Sequence, residues 1–270
     1  MSSPSQGAAR RPLPEAAPEN ASTRVVILAG GRGTRLAPYT SILPKPLMPI
    51  GDRTILEIVV EQLGEHGFSD VVLSVGHLAH LIRAVFDHGR PVQTVNGSRH
   101  TRISYVHEEL PLGTAGSLRL VSGLDRSFLV MNGDLLTTLD YADLLRRHRE
   151  AGNVVTIATK TRSIKIDYGV LHLDDAPGPV TPVVGYEEKP EYFSTVSMGI
   201  YVVEPGALEF IPEDRPFDFP DLVHALLNAG QPVGSYAYDG LWFDIGRRDD
   251  FERALSAWSN GNAFASETDG

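Results

Sequence analysis

From Arg24 to Thr159, short β-branched apolar runs alternate with stretches of helical spacing, and that alternation restricts the fold of this chain more than any other property. The first run, Arg24-Val-Val-Ile-Leu-Ala29, is short, apolar and ended by Gly30-Gly31, as a buried strand is. Further strands are expected at 71–75, 103–106, 128–131 and 154–159, with helices at 55–63, 78–86, 114–121 and 141–150. Strand and helix in this succession build a mainly parallel, doubly wound α/β sheet. Beyond about residue 161 the pattern changes to short strands separated by turn residues, at 169–173, 183–187, 197–203 and 233–238. Helices are expected there only at 219–228 and 248–258. This predicts a mixed β annex closing over the carboxyl ends of the strands, where open α/β sheets bind ligands.

With 270 residues, 42% hydrophobic and 21% charged, the chain can bury one sizeable core and has the make-up of an ordinary globular enzyme. One domain is expected over residues 23–258, between a Pro-, Ala- and Ser-rich flexible tail at 1–22 and a second tail at 259–270. No run reaches the ~18 apolar residues of a spanning helix, and the first residues lack the apolar core of a signal peptide. A cytoplasmic protein with no membrane association is therefore expected. Cysteine is absent, which removes disulfides, thiolate metal sites and a cysteine nucleophile together. The nine histidines show no HExxH-like spacing, so a metal would fall to carboxylates and phosphates. A net charge of −10 argues against a nucleic-acid partner.

A small anionic ligand needs only local positive charge, and lysine is scarce enough for its placement to be informative. Only Lys45, Lys160, Lys165 and Lys189 stand against twenty arginines. Lys45 is held between Pro44 and Pro46, and Lys189 precedes Pro190, so both are expected on pre-shaped loops. The first strand runs into Gly30-Gly31-Arg32-Gly33-Thr34-Arg35-Leu36. Glycines at a strand exit let main-chain N–H groups approach phosphate oxygens, and a following arginine grips them bidentately. No Lys-Ser/Thr pair makes this a Walker A loop, and Leu36 stands where a GxGxxG motif has its last glycine. Alone, the Gly-Gly pair is equally a tight turn. Followed by Lys45, Leu47 and Met48, it becomes one continuous segment supplying amides, a guanidinium and an ammonium.

The stretch from Gly30 to Ile50 resembles GGxGTRLxPxTxxxPKPLxPI, the defining motif of the sugar-1-phosphate nucleotidyltransferases, and the resemblance runs over about residues 24–257. It implies a Rossmann-like α/β/α fold and a Mg²⁺ cofactor. The implied reaction joins an NTP and a sugar 1-phosphate to give an NDP-sugar and pyrophosphate. The nucleotide-binding half would span 23–160 and the sugar-binding half 161–246, followed by the helix at 248–258. Carried over by position, Leu28, Ala29, Gly30, Gly31, Gly33 and Thr34 would line the nucleotide, Arg35 would hold the triphosphate, and Lys45 would neutralise the reacting phosphates. Asp134 follows an apolar strand in Asn132-Gly133-Asp134, and Asp244 stands in Trp242-Phe-Asp-Ile-Gly246; each aspartate alone is equally a turn or helix cap. The family pattern puts both on Mg²⁺, an ion suited by two carboxylates plus phosphate oxygens. Asn132 would then face the nucleotide and Gly133 the sugar phosphate.

Glu187-Glu188-Lys189-Pro190 reads by itself as a surface charge cluster. By the same carry-over Glu188 would contact sugar hydroxyls and Lys189 the sugar phosphate. Tyr168-Gly169-Val170 resembles the family's YGV segment, whose glycine lets the sugar pack against main chain. Glu109, Gly113 and Thr114 would lie beside the nucleobase. One departure concerns the sugar: where relatives read Asn-Ala-Gly-Ile-Tyr, this chain reads Ser197-Met198-Gly199-Ile200-Tyr201. Losing an amide and gaining a thioether makes that wall less polar, which points to a deoxygenated or uncommon sugar, or to a cyclitol 1-phosphate.

The Glu-Glu-x-Pro-Leu-Gly-Thr-Ala-Gly form at 108–116 is similar to that of mannose- and heptose-1-phosphate guanylyltransferases, so GTP is the expected nucleotide, ahead of UTP, dTTP and CTP. Two other readings share these residues. A catalytically silent, ligand-sensing subunit is opposed by intact Arg35, Lys45, Asp134, Lys189 and Asp244. A metal-dependent glycosyltransferase normally carries an acidic pair where this chain has Asn132 and Asp134. A homo-oligomer is compatible with the sequence, whose pattern does not define the assembly.

Overall fold

The computed structural model describes residues 20–31, 33, 39–86, 89–94, 97–175 and 178–259. The first half runs β1 (Arg24–Ala29), the short hairpin β2 (Pro49–Ile50) and β3 (Arg53–Thr54), α1 (Ile55–Glu65), β4 (Asp70–Val75), α2 (Ala79–Phe86), β5 (Gly89–Thr94), β6 (Gly97–His107), β7 (Phe128–Asn132), β8 (Leu135–Thr137) and α3 (Tyr141–Ala151). The second half contains β9 (Val155–Lys165), the hairpin β10 (Gly169–Leu173) and β11 (Val183–Glu188), β12 (Glu191–Val203), α4 (Phe219–Asn228), β13 (Val233–Ala237), β14 (Trp242–Asp244) and α5 (Arg248–Ser259).

Successive side chains of β1 enter two different cores: Val25, Ile27 and Ala29 join one apolar cluster and Val26 the other. A strand buried on both faces also needs both hydrogen-bonding edges covered, and β4 and β7 cover them, each parallel to β1. The main sheet has the order β13-β9-β12-β7-β1-β4-β6-β5. The chain winds outward from β1 through β4 to β6, then returns to β7 on the opposite side of β1. That reversal makes the carboxyl ends of β1, β4 and β7 a topological switch point, where a crevice opens. α1, α2, α3 and α5 pack on one face, and α4 with a 3₁₀ turn at Gly116–Leu120 packs on the other. The doubly wound, Rossmann-like reading is borne out, and β12, antiparallel to both β7 and β9, supplies the mixed part of the sheet.

Three differences from the sequence pattern have local causes. β9 and β12 run on past the sheet as a ribbon, pairing Lys165 with Glu191 through Thr161 with Thr195. Its residues are mostly exposed, so no apolar alternation marks it. The helix expected at 114–121 is only a 3₁₀ turn. Thr114 donates its N–H and its hydroxyl to Asp218 Oδ1 (2.7 and 3.0 Å), and Ala115 and Gly116 donate to the Phe217 carbonyl, so the segment is pinned to the start of α4. The edge strand β5, antiparallel to β6, has too few apolar residues to be seen in sequence. Among the described residues no helix is long and apolar enough to cross a membrane.

Candidate active site

The exits of β1, β4 and β7 are crowded to the limit of main-chain contact, and glycine makes that approach possible. Gly133 N–H donates to the Leu28 carbonyl at 2.9 Å, and a Cβ at position 133 would lie 2.9 Å from that same oxygen. A Cβ on Gly30 would lie 2.8 Å from Glu108 Oε1, and one on Gly76 3.1 Å from the Gly30 carbonyl. Leu28 and Ala29 pack in the two cores, so what they offer at this exit is main chain. Gly33 has φ +61°, a left-handed conformation, and its carbonyl accepts the Thr40 hydroxyl at 2.8 Å. Gly31 is open on its Cβ side. Arg32, Thr34 and Arg35 lie outside the described residues, and with them the guanidinium expected on the triphosphate.

Lys45 is the centre of the site. It opens a 3₁₀ turn, Lys45–Leu47, directly after Pro44, and Met48 at the end of that turn accepts the Ile55 N–H (3.1 Å) that begins α1. α1 is itself fixed by a capping box between Thr54 and Glu57, a device worth ~1 kcal/mol. The lysine is 8% exposed. Its ammonium donates to Asp134 Oδ2 and stands 4.0 Å from Asp244 Oδ1. β14 and β8 bring the two aspartates together by pairing antiparallel with Asp244 opposite Leu135, while Ile245 N–H donates to the Asp134 carbonyl at 3.0 Å. Gly246 completes the packing: its N–H donates to Asp244 Oδ1 at 2.9 Å, and a Cβ there would lie 2.4 Å from Lys45 Nζ. The sequence reading passed over Gly246, although it closes the Trp-Phe-Asp-Ile-Gly segment. Among the described residues no group of three or more His, Asp or Glu side chains forms a cage for a metal ion. The protein's own contribution is these two carboxylates around one cation.

Around the expected base position, Glu108 is held by the Ser74 hydroxyl (2.8 Å) and the Leu112 N–H (3.4 Å), whereas its neighbour Glu109 is exposed. Gly113, at φ +80°, lies against Phe217 so closely that a Cβ would meet the carbonyl at 2.6 Å. Thr114 Oγ1 accepts the Phe219 N–H (2.9 Å) while donating to Asp218, so its hydroxyl is committed to the start of α4.

The residues expected at the sugar fall into two groups. Gly169 and Glu188 face each other across the β10–β11 hairpin, with Tyr168 and Lys189 at its ends. The Tyr186 hydroxyl donates to Glu188 Oε2 at 2.5 Å, and Lys189 adopts φ +48°. Lys189 makes no ion pair among the described residues with Asp134 or Asp244. Ser197 and Met198 lie at the register shift of β12, nearer the sheet. Ser197 Oγ donates to the Tyr201 hydroxyl at 3.2 Å and accepts the Gly199 N–H. Burial holds the Tyr201 phenol above its ordinary pKa, against the opposing effect of Ser197. A Cβ on Gly199, at φ +75°, would stand 2.5 Å from Asn132 Nδ2, so the Asn132 amide packs over that glycine. Met198 is 1% exposed and sits in the larger core cluster, so its thioether shapes this region from behind.

The Nucleotidyl transferase family matches residues 24–260 of the chain. The chain belongs to that family. Among curated nucleotidyl transferases, a UTP--glucose-1-phosphate uridylyltransferase of Synechocystis sp. is 34% identical over 245 residues, covering 86% of this chain and 62% of the relative. A mannose-1-phosphate guanylyltransferase catalytic subunit beta of Dictyostelium discoideum is 29% identical, covering 88% of this chain and 65% of the relative. The chain thus spans 62% and 65% of the length of these two relatives. Among solved structures, HddC from Yersinia pseudotuberculosis superposes with a TM-score of 0.65 at 24% identity, over 87% of this chain and 99% of that one. A putative glucose-1-phosphate thymidylyltransferase from Bacillus anthracis gives 0.67 at 21%, over 89% and 96%. At these identities the two structures speak for the nucleotidyl transferase fold.

Proposed function

We propose that this chain transfers a nucleoside monophosphate from a nucleoside triphosphate, GTP before others, to a sugar 1-phosphate or a sugar-like cyclitol 1-phosphate, with release of pyrophosphate. The observation that carries this reading is the Lys45 ammonium seated against Asp134 and beside Asp244 at the switch point of the sheet. A phosphate monoester has its second pKa near ~6, so a sugar 1-phosphate is mostly dianionic at pH 7 and needs no general base. One of its oxygens attacks the α-phosphorus. The bond from that phosphorus to the bridging oxygen breaks, and its electron pair leaves with pyrophosphate. What remains for the protein is positioning and positive charge. Lys45 serves the reacting phosphates, Arg35 the triphosphate and Lys189 the sugar phosphate, while the glycines at the strand exits would let main chain approach phosphate oxygens closely. Tyr168, Gly169, Glu188 and Ser197 are assigned to the sugar, with the buried Met198 side chain packed behind them.

Asp134 and Asp244 suit a divalent ion, Mg²⁺ in this reading. They already converge on one cationic group, and Mg²⁺ is commonly held by one or two carboxylates together with substrate phosphates. Bound there, the ion would neutralise the triphosphate and polarise its phosphoryl oxygens. The base preference rests on the form of residues 108–116, within which Glu109 is exposed and able to meet a base. Guanine presents two adjacent N–H donors that one carboxylate accepts side by side, whereas uracil flanks its single N–H with carbonyls that a carboxylate repels. Relatives of both guanylyl- and uridylyl-transferring kinds occur, so the experiment is pyrophosphate release with GTP, UTP, dTTP and CTP against a panel of sugar and cyclitol 1-phosphates. A kcat/KM for GTP at least about tenfold above the other three is expected. Preference for UTP overturns the base assignment, and no release with any of the four makes the chain a silent, ligand-sensing subunit.

A further inference from the structure

A buried charge stands behind the site and the proposed reaction does not use it. Asp250, in the first turn of α5, is 2% exposed, a costly position for a carboxylate unless partners compensate it. Its Oδ2 accepts Arg162 Nη2 at 2.7 Å and the main-chain N–H of Asp244 at 3.4 Å, and its Oδ1 accepts Arg253 Nη1 at 3.1 Å. Arg162 comes from β9, and its guanidinium lies 4.5 Å from the Trp242 ring centre, two residues before Asp244. The Trp242 indole N–H in turn donates to the Met198 carbonyl at 3.1 Å. Asp244 is therefore held through its main-chain N–H, its carbonyl and one carboxylate oxygen. Its N–H meets Asp250, its carbonyl accepts the Arg247 N–H at 3.0 Å, and its carboxylate accepts the Gly246 N–H.

We propose that Asp250, neutralised by Arg162, is a positioning residue that orients Asp244 for a divalent cation. The inference rests on the assignment of Asp244 to the metal. Docking of α5 alone does not call for this charge, because a well-packed apolar pair usually stabilises at least as well as a buried ion pair. What an apolar pair lacks is an acceptor for the Asp244 N–H. At 3.4 Å that hydrogen bond is long, and its effect is directional: a fixed negative charge sets where the strand end, and the carboxylate on it, points.

The test is Mn²⁺ binding to the nucleotide-free protein, followed by the paramagnetic resonance of the free ion and by calorimetry, for the unmodified chain, Asp244→Asn, Asp250→Ala and Asp250→Asn, with thermal midpoints measured alongside. Residues that orient a metal ligand typically contribute about 10- to 100-fold in metal affinity. The Mn²⁺ Kd of Asp250→Ala is expected to rise by that factor. Asp250→Asn keeps an acceptor oxygen and should fall between, with the Mn²⁺ concentration for half-maximal turnover shifting in parallel and the KM for GTP unmoved at saturating Mn²⁺. Unchanged Mn²⁺ affinity in either folded Asp250 variant, with a lowered thermal midpoint, overturns the proposal and leaves Asp250 a helix tie. If Asp250→Ala does not fold, Asp250→Asn decides. Should Asp244→Asn weaken Mn²⁺ while both Asp250 variants bind normally, only the positioning role falls. Undiminished binding in Asp244→Asn, or no binding by the unmodified chain either alone or with a non-hydrolysable GTP analogue supplying phosphate ligands, overturns the metal assignment together with it.

Discussion

Lys45 is nearly buried, and its charge is matched by the carboxylate of Asp134, with Asp244 4.0 Å away. Truncating the lysine leaves two carboxylates facing each other; truncating Asp134 leaves the ammonium with one distant partner. Both changes remove preorganised charge from the proposed reaction centre without touching the sheet. Lys45→Ala and Asp134→Ala should each lose on the order of ~10²-fold or more in turnover while circular dichroism shows a folded protein. Near-normal pyrophosphate release in either would remove that residue from the mechanism. Glu109 makes a narrower claim, because it concerns discrimination only. Glu109→Gln should lower kcat/KM for GTP by at least about tenfold and leave UTP within about threefold, measured in parallel assays.

Two elements convert such side-chain roles into geometry. The exit of β7 is set by Gly133, whose missing Cβ lets the strand end lie against the Leu28 carbonyl. Gly133→Ala forces a methyl group to 2.9 Å from a main-chain oxygen and to 3.2 Å from both Ile27 Cγ2 and Pro46 Cγ. Overpacking of this kind costs about 1–3 kcal/mol, and here it also displaces Asp134. A lower urea midpoint combined with reduced turnover is expected, and a variant matching the parent in both measurements would show that the close approach is dispensable. α3 carries a different constraint in His148, which is fully buried. The Glu204 carboxylate only accepts, so His148 Nε2 carries the proton and donates at 2.9 Å, while Nδ1 accepts the Thr156 hydroxyl at 2.8 Å. Burial depresses the pKa of this imidazole below its ordinary 6.5, against the opposing pull of Glu204. The neutral form is thus favoured by folding. Its stabilisation is complete above pH 6.5 and is lost as the pH falls from there through the folded-state pKa. Thermal midpoints between pH 7.5 and about 5.5 should fall more steeply for the parent than for His148→Gln; parallel slopes would assign the acid sensitivity elsewhere.

Substrate binding should register in the stability of the entire domain, because the proposed nucleotide site joins the exits of β1, β4 and β7 to β14 and thereby to α5. A ligand present at 100 times its Kd stabilises by about 2.7 kcal/mol, which for a domain of this size raises Tm by roughly 5–10 °C. GTP with Mg²⁺ is expected to give such a shift and GTP with a chelator a smaller one; equal shifts would take the metal out of nucleotide binding. The alternating half of the fold was readable because burial of each strand or helix face prints a local period in the chain, as β1, β4, α1 and α4 do. The glycine loop, Lys45, Asp134 and Asp244 were readable as a pattern of residue types. The β9–β12 ribbon was not, since exposed strands carry no such period, nor was β5, an edge strand of mostly polar residues. The meeting of Asp134 with Asp244 depends on β14 pairing with β8, and the contact of Asp250 with Arg162 depends on α5 packing against β14, within reach of the β9 arginine. Both join residues far apart in the chain. Local chemistry therefore settled which groups are available to the candidate site, whereas the sheet order and strand exits alone decided which of them meet, because closing long loops is driven by burial summed over the whole core and leaves no mark at any single position.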